Sequence, residues 1–291
     1  MAVHICKISL VMKLYTINTG HFKLDGGAMF GVVPKSIWNK LNPADENNMC
    51  SWAMRCLLIE DGKRLILIDN GMGDKQDAKF FSYYYLHGDD TLQQSLAQYG
   101  FSADDITDVF LTHLHFDHCG GSIKWNSDRT AFQPVFKNAV YHVHEEHWEE
   151  ALHPNVREKA SFLRDNIIPI QETGHLNLFK EHEIIHPEMS LYKSIGHTQS
   201  MMIPQIKYGG VTVAFMADLI PSLGHIPPNY VMGYDVRPLD TMRERTEFLT
   251  RAAAEKTVLF FEHDPVNECA IVTQTERGFK PEAVMRLNEI L

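Results

Sequence analysis

Three histidines and one aspartate occur within six consecutive residues, as His113, His115, Asp117 and His118. In an extended segment, residues two apart point the same way, so His113 and His115 can aim two imidazoles at one point. Asp117 and His118 follow where we expect the chain to turn into a helix, and they can approach from the other side. Imidazole and carboxylate suit zinc and its first-row neighbours. This spacing favours a metal site over a metal-free, histidine-rich loop.

One short segment seldom completes a two-metal site, so further ligands should come from elsewhere in the chain. Three polar residues each end an apolar run: His197, Asp218 and His263. Taken singly, each fits a capping or surface residue equally well. Taken together with the histidine cluster, each is a candidate ligand.

Short apolar runs alternate with helical patterns, as expected for a mixed α/β protein. We predict strands at residues 14–17, 53–60, 64–69, 105–111, 139–143, 183–185, 190–195, 202–208, 211–216, 258–262 and 270–274. We predict helices at residues 82–99, 144–152, 156–165, 241–255 and 281–291. Asp61-Gly62 and Gly209-Gly210 are hairpin turn signals between neighbouring strands.

No linker-like stretch divides the chain, so we predict one domain over residues 1–291. Residues 1–12 are a candidate N-terminal extension, with Met12 as an alternative start. Residues 21–48 are irregular in pattern, and we predict a long surface loop there, which can also mediate a homodimer. Loops of this length in compact domains are usually functional or disordered.

The composition excludes several classes of partner. The formal net charge is −10 and no basic run occurs, so nucleic acid is not an expected partner. No segment reaches the roughly 20 apolar residues of a membrane span, and no signal peptide is evident. The five cysteines show neither metal-finger spacing nor an even count, which favours reduced thiols in a cytoplasmic protein.

The order of the candidate ligands resembles the metallo-β-lactamase superfamily. The chain shows His-x-His-x-Asp-His at residues 113–118, then Gly-His-Thr at 196–198, then the strand-end Asp218 and the late His263. With Asp69, the pattern extends over residues 69–263. The resemblance implies an αββα sandwich, in which two β-sheets face each other and helices lie outside.

The resemblance also divides seven ligands between two divalent metal ions. It implies a first ligand group of His113, His115 and His197, a second ligand group of Asp117, His118 and His263, and Asp218 as a bridge between the two ions. Zinc is the expected ion, with manganese, cobalt and iron as alternatives. Asp69 matches a position that orients a ligand imidazole through its ring N–H. Asn70 departs from the family, where Thr is common.

Within the superfamily, the chain resembles the branch of N-acyl-homoserine lactonases, which act in quorum quenching. The expected mechanism is attack by a metal-bridging hydroxide, with Asp117 and Asp218 as the catalytic carboxylates and Asp117 passing a proton to the leaving group. Gln199-Ser200 replaces the Pro-Gly that often follows Gly-His-Thr. The substrate is expected to be a small lactone or ester.

Flexible and aromatic apolar residues can hold an acyl chain. The candidates for substrate binding are Met29, Phe30, Phe116, Met201, His225 and Tyr230. The alternative for the apolar ones is the protein core, and for His225 a solvated loop. Tyr234 is a further possible donor to a carbonyl oxygen, whereas His142, His144 and His147 are expected to be ordinary surface histidines.

Four other functions remain open on sequence grounds. A phosphotriesterase or arylesterase can use the same site. A thioesterase of the glyoxalase II type usually carries a basic patch, and none stands out here. The net charge counts against a nuclease of the same superfamily. The non-enzyme alternative is a metal-binding protein without turnover.

Overall fold

Two six-stranded β-sheets form the centre of the computed structural model, which describes residues 12–290. In spatial order, the first sheet contains β1 (Lys13–Asp25), β2 (Met49–Asp61), β3 (Arg64–Ile68), β4 (Asp108–Phe110), β7 (Val140–His144) and β8 (Leu176–Phe179). The second contains β14 (Gly278–Met285), β13 (Cys269–Thr275), β12 (Val258–Phe260), β11 (Val211–Phe215), β10 (Met201–Tyr208) and β9 (Met189–Ser194). A separate hairpin pairs β5 (Ile123–Trp125) with β6 (Phe132–Pro134).

Between residues 12 and 290, eight α-helices accompany the sheets. They are α1 (Gly26–Phe30), α2 (Lys35–Trp38), α3 (Ala78–Tyr84), α4 (Leu92–Gln98), α5 (Phe116–Cys119), α6 (Glu145–Leu152), α7 (Arg164–Glu172) and α8 (Pro238–Glu255). Within the described residues, no helix is long and apolar enough to cross a bilayer. The four cysteines in this part of the chain are buried and free of disulfides.

Alternate residues of β2 contribute to two different cores, as the two-residue period of a strand requires. Leu57 and Ile59 pack in one cluster with residues of the second sheet such as Ile203 and Phe215. Leu58 faces the opposite side, in a cluster with residues from α4, α6 and α7. Helix α8 packs on the second sheet, mainly against β13. The predicted αββα sandwich is therefore confirmed.

Both predicted hairpin turns are present. Gly62 has a φ of 63° between β2 and β3. Gly209 and Gly210 have φ values of 57° and 85° between β10 and β11. Positive φ at the first central residue, as at Gly62, or at both, as at Gly209 and Gly210, matches the right-handed twist of the strands, and glycine adopts it without a steric penalty.

The predicted helix at residues 281–291 is wrong, because residues 281–285 belong to β14 and a short 3₁₀ turn follows at Leu287–Glu289. Its register with β13 extends from Thr275 opposite Gly278 to Cys269 opposite Met285. Residues such as Glu, Ala and Met favour helix locally, but pairing with a neighbouring strand overrides that preference. Pro281 is accommodated because β14 is an edge strand.

The single helix predicted at residues 82–99 is also wrong. Helix α3 ends at Tyr84, and the following residue Tyr85 adopts the left-handed conformation with φ 45° and ψ 58°. His87 then exchanges two backbone hydrogen bonds with His21 of β1, at 2.9 Å each. This tertiary contact interrupts the helical pattern, and α4 begins only at Leu92.

The surface loop predicted at residues 21–48 is a folded part of the sandwich edge. Its first residues continue β1, and α1 and α2 follow. Phe22, Met29, Phe30 and Trp38 are buried in a third apolar cluster. The loop prediction failed because these apolar residues follow no single period, although they share one core.

The remaining predictions from the sequence have mixed outcomes. The helix predicted at residues 156–165 is absent apart from the last two residues, where α7 begins, and no strand forms at 183–185. Strand β8 was not predicted. Residues 1–11 of the candidate extension lie outside the described part of the chain, whereas Met12 packs against the core between the sheets. The extent of the single domain stays a prediction.

Candidate metal centre

The seven candidate ligands gather where several strands end. His113 and His115 follow β4, and the short helix α5 carries Asp117 and His118 directly after them. The other three follow β9, β11 and β12 respectively: His197, Asp218 and His263. All seven side chains are buried.

The first ligand group converges on one point. His115 Nδ1 lies 3.1 Å from His113 Nε2 and 3.2 Å from His197 Nε2. Asp218 Oδ2 lies 2.9 Å from His197 Nε2 and 3.8 Å from His113 Nε2. These four residues can each offer one ligand atom to a common ion.

The second ligand group is similarly compact. His263 Nε2 lies 3.1 Å from His118 Nε2, and Asp117 Oδ2 lies 3.8 Å from both nitrogens. Asp218 Oδ1 is 3.1 Å from His263 Nε2, so this carboxylate turns one oxygen to each group. Such a placement is what a bridging ligand requires.

The ring nitrogens on the far side of the imidazoles explain why the inner ones fit metal ions. His197 Nδ1 lies 2.9 Å from Asp235 Oδ1, and His263 Nδ1 lies 2.8 Å from the carbonyl of Ala53. In the neutral rings that bind metal these outer nitrogens donate, so the inner nitrogens present lone pairs. Lone pairs facing each other at about 3.1 Å repel unless a cation lies between them. Zinc–nitrogen bonds of about 2.0–2.1 Å suit such a spacing, so the donor set fits two divalent ions.

Asp69 and Glu262 both approach the outer nitrogen of His118. Asp69 Oδ2 is 3.1 Å from His118 Nδ1, the contact that the sequence suggested, and Glu262 Oε2 is 3.0 Å from it. Asp69 also accepts hydrogen bonds from the backbone N–H and the hydroxyl of Thr112, at 2.8 and 2.7 Å. Acceptors of this kind set the tautomer and orientation of a ligand imidazole.

Three of the carboxylates that approach outer ring nitrogens were missed by sequence reasoning. They are Asp235, Glu262 and Glu158, whose Oε1 lies 3.7 Å from His115 Nε2. Glu262 precedes a candidate ligand in the chain, which is a weak signal. Asp235 and Glu158 carry no sequence signal, because each meets its histidine only through the fold.

The carboxylates make the centre favourable for positive charge. Burial disfavours the charged form of His197, but Asp218 and Asp235 outweigh it and raise the pKa of His197 to about 10. Burial also acts to lower the pKa of His263, but Asp218 outweighs it and raises that pKa to about 9. Burial acts to raise the pKa of Asp218, yet the surrounding imidazoles hold it well below its usual range. This is the electrostatic environment of a cation site.

A cavity of about 370 Å³ opens onto both ligand groups. Asp117, Asp218 and His263 contribute to its floor. The apolar and aromatic residues of its walls are Leu24, Met29, Tyr84, Phe116, Met232 and Tyr234. Its size lies at the lower end of small-molecule sites. Of the residues expected to bind substrate, Met29 and Phe116 therefore line the cavity at the centre, and Tyr234 lines it too.

The other four expected substrate residues lie elsewhere. Met201 is buried in the core between the two sheets, and Tyr230 lines a different cavity. Phe30 stacks on His225 with ring centroids 4.5 Å apart. His225 is fully buried rather than on a solvated loop, and its Nε2 lies 2.9 Å from the Met29 carbonyl. Phe30 and His225 thus support the cavity wall from behind.

His147 is not a surface histidine, contrary to expectation. It is fully buried, and its Nε2 accepts a hydrogen bond from the Leu114 N–H at 2.8 Å. Its Nδ1 lies 2.7 Å from the Gln199 carbonyl, to which it donates. His147 thereby ties the histidine motif to the segment after His197. His142 and His144 are buried as well, so the expectation was wrong for all three.

Comparison with known proteins agrees with this geometry. The family model described as the metallo-beta-lactamase superfamily matches residues 55–263, which is more than half of the chain. The chain therefore belongs to the metallo-beta-lactamase superfamily and is one of its metal-dependent hydrolases.

Individual relatives are similar over most of their length. An N-acyl homoserine lactonase of Bacillus thuringiensis is 26% identical over 278 residues, which covers 87% of this chain and 94% of the relative. A probable metal-dependent hydrolase from Staphylococcus aureus superposes with a TM-score of 0.85 at 28% identity, covering 96% of this chain and 98% of that one. The dizinc quorum-quenching lactonase AidC, solved with a product, superposes with a TM-score of 0.74 at 24% identity, covering 94% and 96%; at that identity it shows the fold alone.

Proposed function

We propose that this protein is a dinuclear lactonase that opens N-acyl-homoserine lactones. The observation that carries the proposal is the position of the 370 Å³ cavity, which has apolar and aromatic walls and both ligand groups at its floor. Such a cavity can hold an acyl chain while a lactone carbonyl reaches the centre. The N-acyl homoserine lactonases at 26% identity support the same substrate class.

The first and second ligand groups would each hold one divalent ion, with Asp218 shared between them. When bound, such a pair lowers the pKa of a shared water and polarises a carbonyl oxygen. Zinc is the ion that we propose, because imidazole nitrogens and carboxylate oxygens are ligands that suit it.

The residues around the cavity have separate roles in this proposal. Asp117 lines the cavity, and its carboxylate can take the proton that the attacking water loses and pass it to the alkoxide that leaves when the ring opens. Burial raises the pKa of Tyr84 to about 12 and also raises that of Tyr234. Both phenols therefore stay protonated at neutral pH and can donate hydrogen bonds to substrate oxygens.

The test compares substrate classes on the purified, zinc-loaded protein. N-hexanoyl-homoserine lactone, a paraoxon-type phosphotriester, an aryl ester and a glutathione thioester are assayed for catalytic efficiency, with proton release or product absorbance as readout. We expect the lactone to be the best substrate. Higher efficiency with the phosphotriester or thioester would replace the lactonase assignment, and no turnover of any substrate would leave a metal-binding protein.

Two further expectations from the sequence stay predictions. A homodimer is testable by light scattering of the purified protein. A cytoplasmic location is testable by fractionation of cells that produce it. Neither depends on the substrate.

A further inference from the structure

Helix α6 turns three polar side chains toward the backbone segment that follows His197. They are Glu146, His147 and Glu150, and residues three or four apart on a helix lie on one face. His147 is fully buried, and Glu150 is mostly buried, with 13% of its side chain exposed. Buried polar groups need partners, because an unpaired one costs free energy. All three side chains find partners close in sequence to members of the first ligand group.

His147 joins the two parts of the chain that supply the first ligand group. Its Nε2 accepts from the Leu114 N–H at 2.8 Å, and its Nδ1 donates to the Gln199 carbonyl at 2.7 Å. Leu114 lies between the two candidate histidines that follow β4, and Gln199 is the second residue after His197. An N–H can only donate and a carbonyl can only accept, so these contacts require a neutral ring with its proton on Nδ1. One imidazole therefore sets the spacing between two backbone segments that are distant in sequence.

The carboxylates of α6 hold the same segment at neighbouring points. Glu150 Oε2 accepts from the Thr198 hydroxyl at 2.6 Å and from the Gln199 N–H at 2.7 Å. Glu146 Oε2 accepts from the Ser200 hydroxyl at 2.6 Å, and Ser200 has a φ of 58°, which residues other than glycine rarely adopt. A Pro-Gly pair at 199–200 would lack both this N–H and this hydroxyl. The contacts to α6 therefore fix a turn that residues 199 and 200 do not fix by themselves.

We propose that His147 and Glu150 are positioning residues, which fix the distance between the two parts of the first ligand group and so determine its affinity for a metal ion. One part carries His113 and His115, and the other carries His197. The proposal rests on the proposed metal centre but not on its substrate. Metal ligands must stay within about 0.2 Å of their ideal distances, so a small shift of one part weakens binding. Among the described residues, no hydrogen bond or ion pair joins the side chains of α6 to the second ligand group, which should be insensitive to these contacts.

The test measures zinc affinity by chelator competition in two backgrounds that each keep one ligand group. His118→Ala keeps the first group intact, and His197→Ala keeps the second. His147→Leu is added to each, because leucine fills the buried position but neither accepts nor donates a hydrogen bond. We expect zinc affinity to fall by about tenfold or more in the His118→Ala background. In the His197→Ala background it should stay within about twofold, because sites without shared partners act independently.

Two further variants and a matched control complete the test. His147→Gln retains one acceptor and one donor, so it should recover most of the lost affinity. Glu150→Met removes the acceptor of two hydrogen bonds at a less buried position, so it decides the question if His147→Leu does not fold. It should weaken zinc binding by the first group about threefold or more. Glu149→Gln is the control, because Glu149 lies on the same helix with 65% of its side chain exposed.

Three results would refute the proposal. The His147 and Glu150 variants could bind zinc like the control, they could lose affinity equally in both backgrounds, or His147→Gln could recover nothing. Binding of zinc in neither background would overturn the metal centre itself, and the proposal with it. Lactone turnover is not a readout, so failure of the lactonase assignment alone leaves the outcome unchanged.

Discussion

The two ligand groups of the candidate metal centre are supported by different parts of the molecule. In the second group, Asp69 and Glu262 back His118; Asp69 directly follows β3, and Glu262 lies two residues after β12. The Ala53 carbonyl within β2 backs His263. In the first group, Glu158 and Asp235 back His115 and His197. Both of these carboxylates lie in loops.

The same two loops also line the cavity. Arg157 and Glu158 come from one, and Met232, Gly233 and Tyr234 from the other. The Arg157 guanidinium donates to the Gly233 carbonyl, which links the loops across the cavity. The first ligand group is therefore coupled to the walls that would hold a substrate, whereas the second depends on the ends of core strands. Changes in the cavity loops should affect the first group more.

The largest effect is expected where the two groups meet. Asp218→Ala removes the carboxylate that turns one oxygen to each group. We expect both ions to bind weakly and lactone turnover to fall by about three orders of magnitude or more. Metal analysis and turnover check this, with exposed Asp128→Ala as control. Retention of two ions and near-normal turnover would remove Asp218 from the site.

A change within one group should separate the two ions. His118→Ala removes an imidazole from the second group only, so bound metal should fall from about two ions to about one. Turnover should be lost, because the reaction needs both ions. His153→Ala serves as the control, since that imidazole is 76% exposed. Two tightly bound ions in the His118 variant would contradict the grouping.

A smaller effect is expected behind the first group. Asp235→Asn neutralises the single carboxylate that contacts His197 Nδ1 within the described residues. Loss of such an acceptor typically weakens metal binding by about 10–100-fold. Chelator competition measures the affinity of the protein for the more weakly bound of the two ions. Because Asp235 also accepts from the Met232 N–H at 3.0 Å in the cavity wall, KM for the lactone should rise as well.

The smallest effect is expected behind the second group. Glu262→Gln replaces one of two carboxyl groups at His118 Nδ1. Burial raises the pKa of Glu262 to about 8, which already favours its neutral form, and Asp69 remains to accept the hydrogen bond. We expect metal affinity to fall by less than about tenfold and KM to stay unchanged. Chelator competition run beside the Asp235 variant tests the comparison directly. Equal losses in the two variants would show that the groups are supported alike.

Much of the ligand set was predictable from the sequence, because it depends on local features. His113 to His118 lie in one segment, and His197, Asp218 and His263 each end an apolar run. The αββα arrangement followed from the resemblance that these residues carry. The predicted helices at 82–99 and 281–291 failed for one common reason: backbone pairing with another strand decided their conformation, with β1 at His87 and with β13 along β14.

The sequence by itself determined which side chains can bind metal, since residue type and spacing are properties of the chain. Only the tertiary structure decided which oxygen backs each imidazole, and that Met29 and Phe116 face the cavity while Phe30 and His225 support it from behind. The physical reason is sequence distance. Asp235 reaches His197 across 38 positions, and Glu262 reaches His118 across more than a hundred, so packing of the two sheets has to form before these contacts exist.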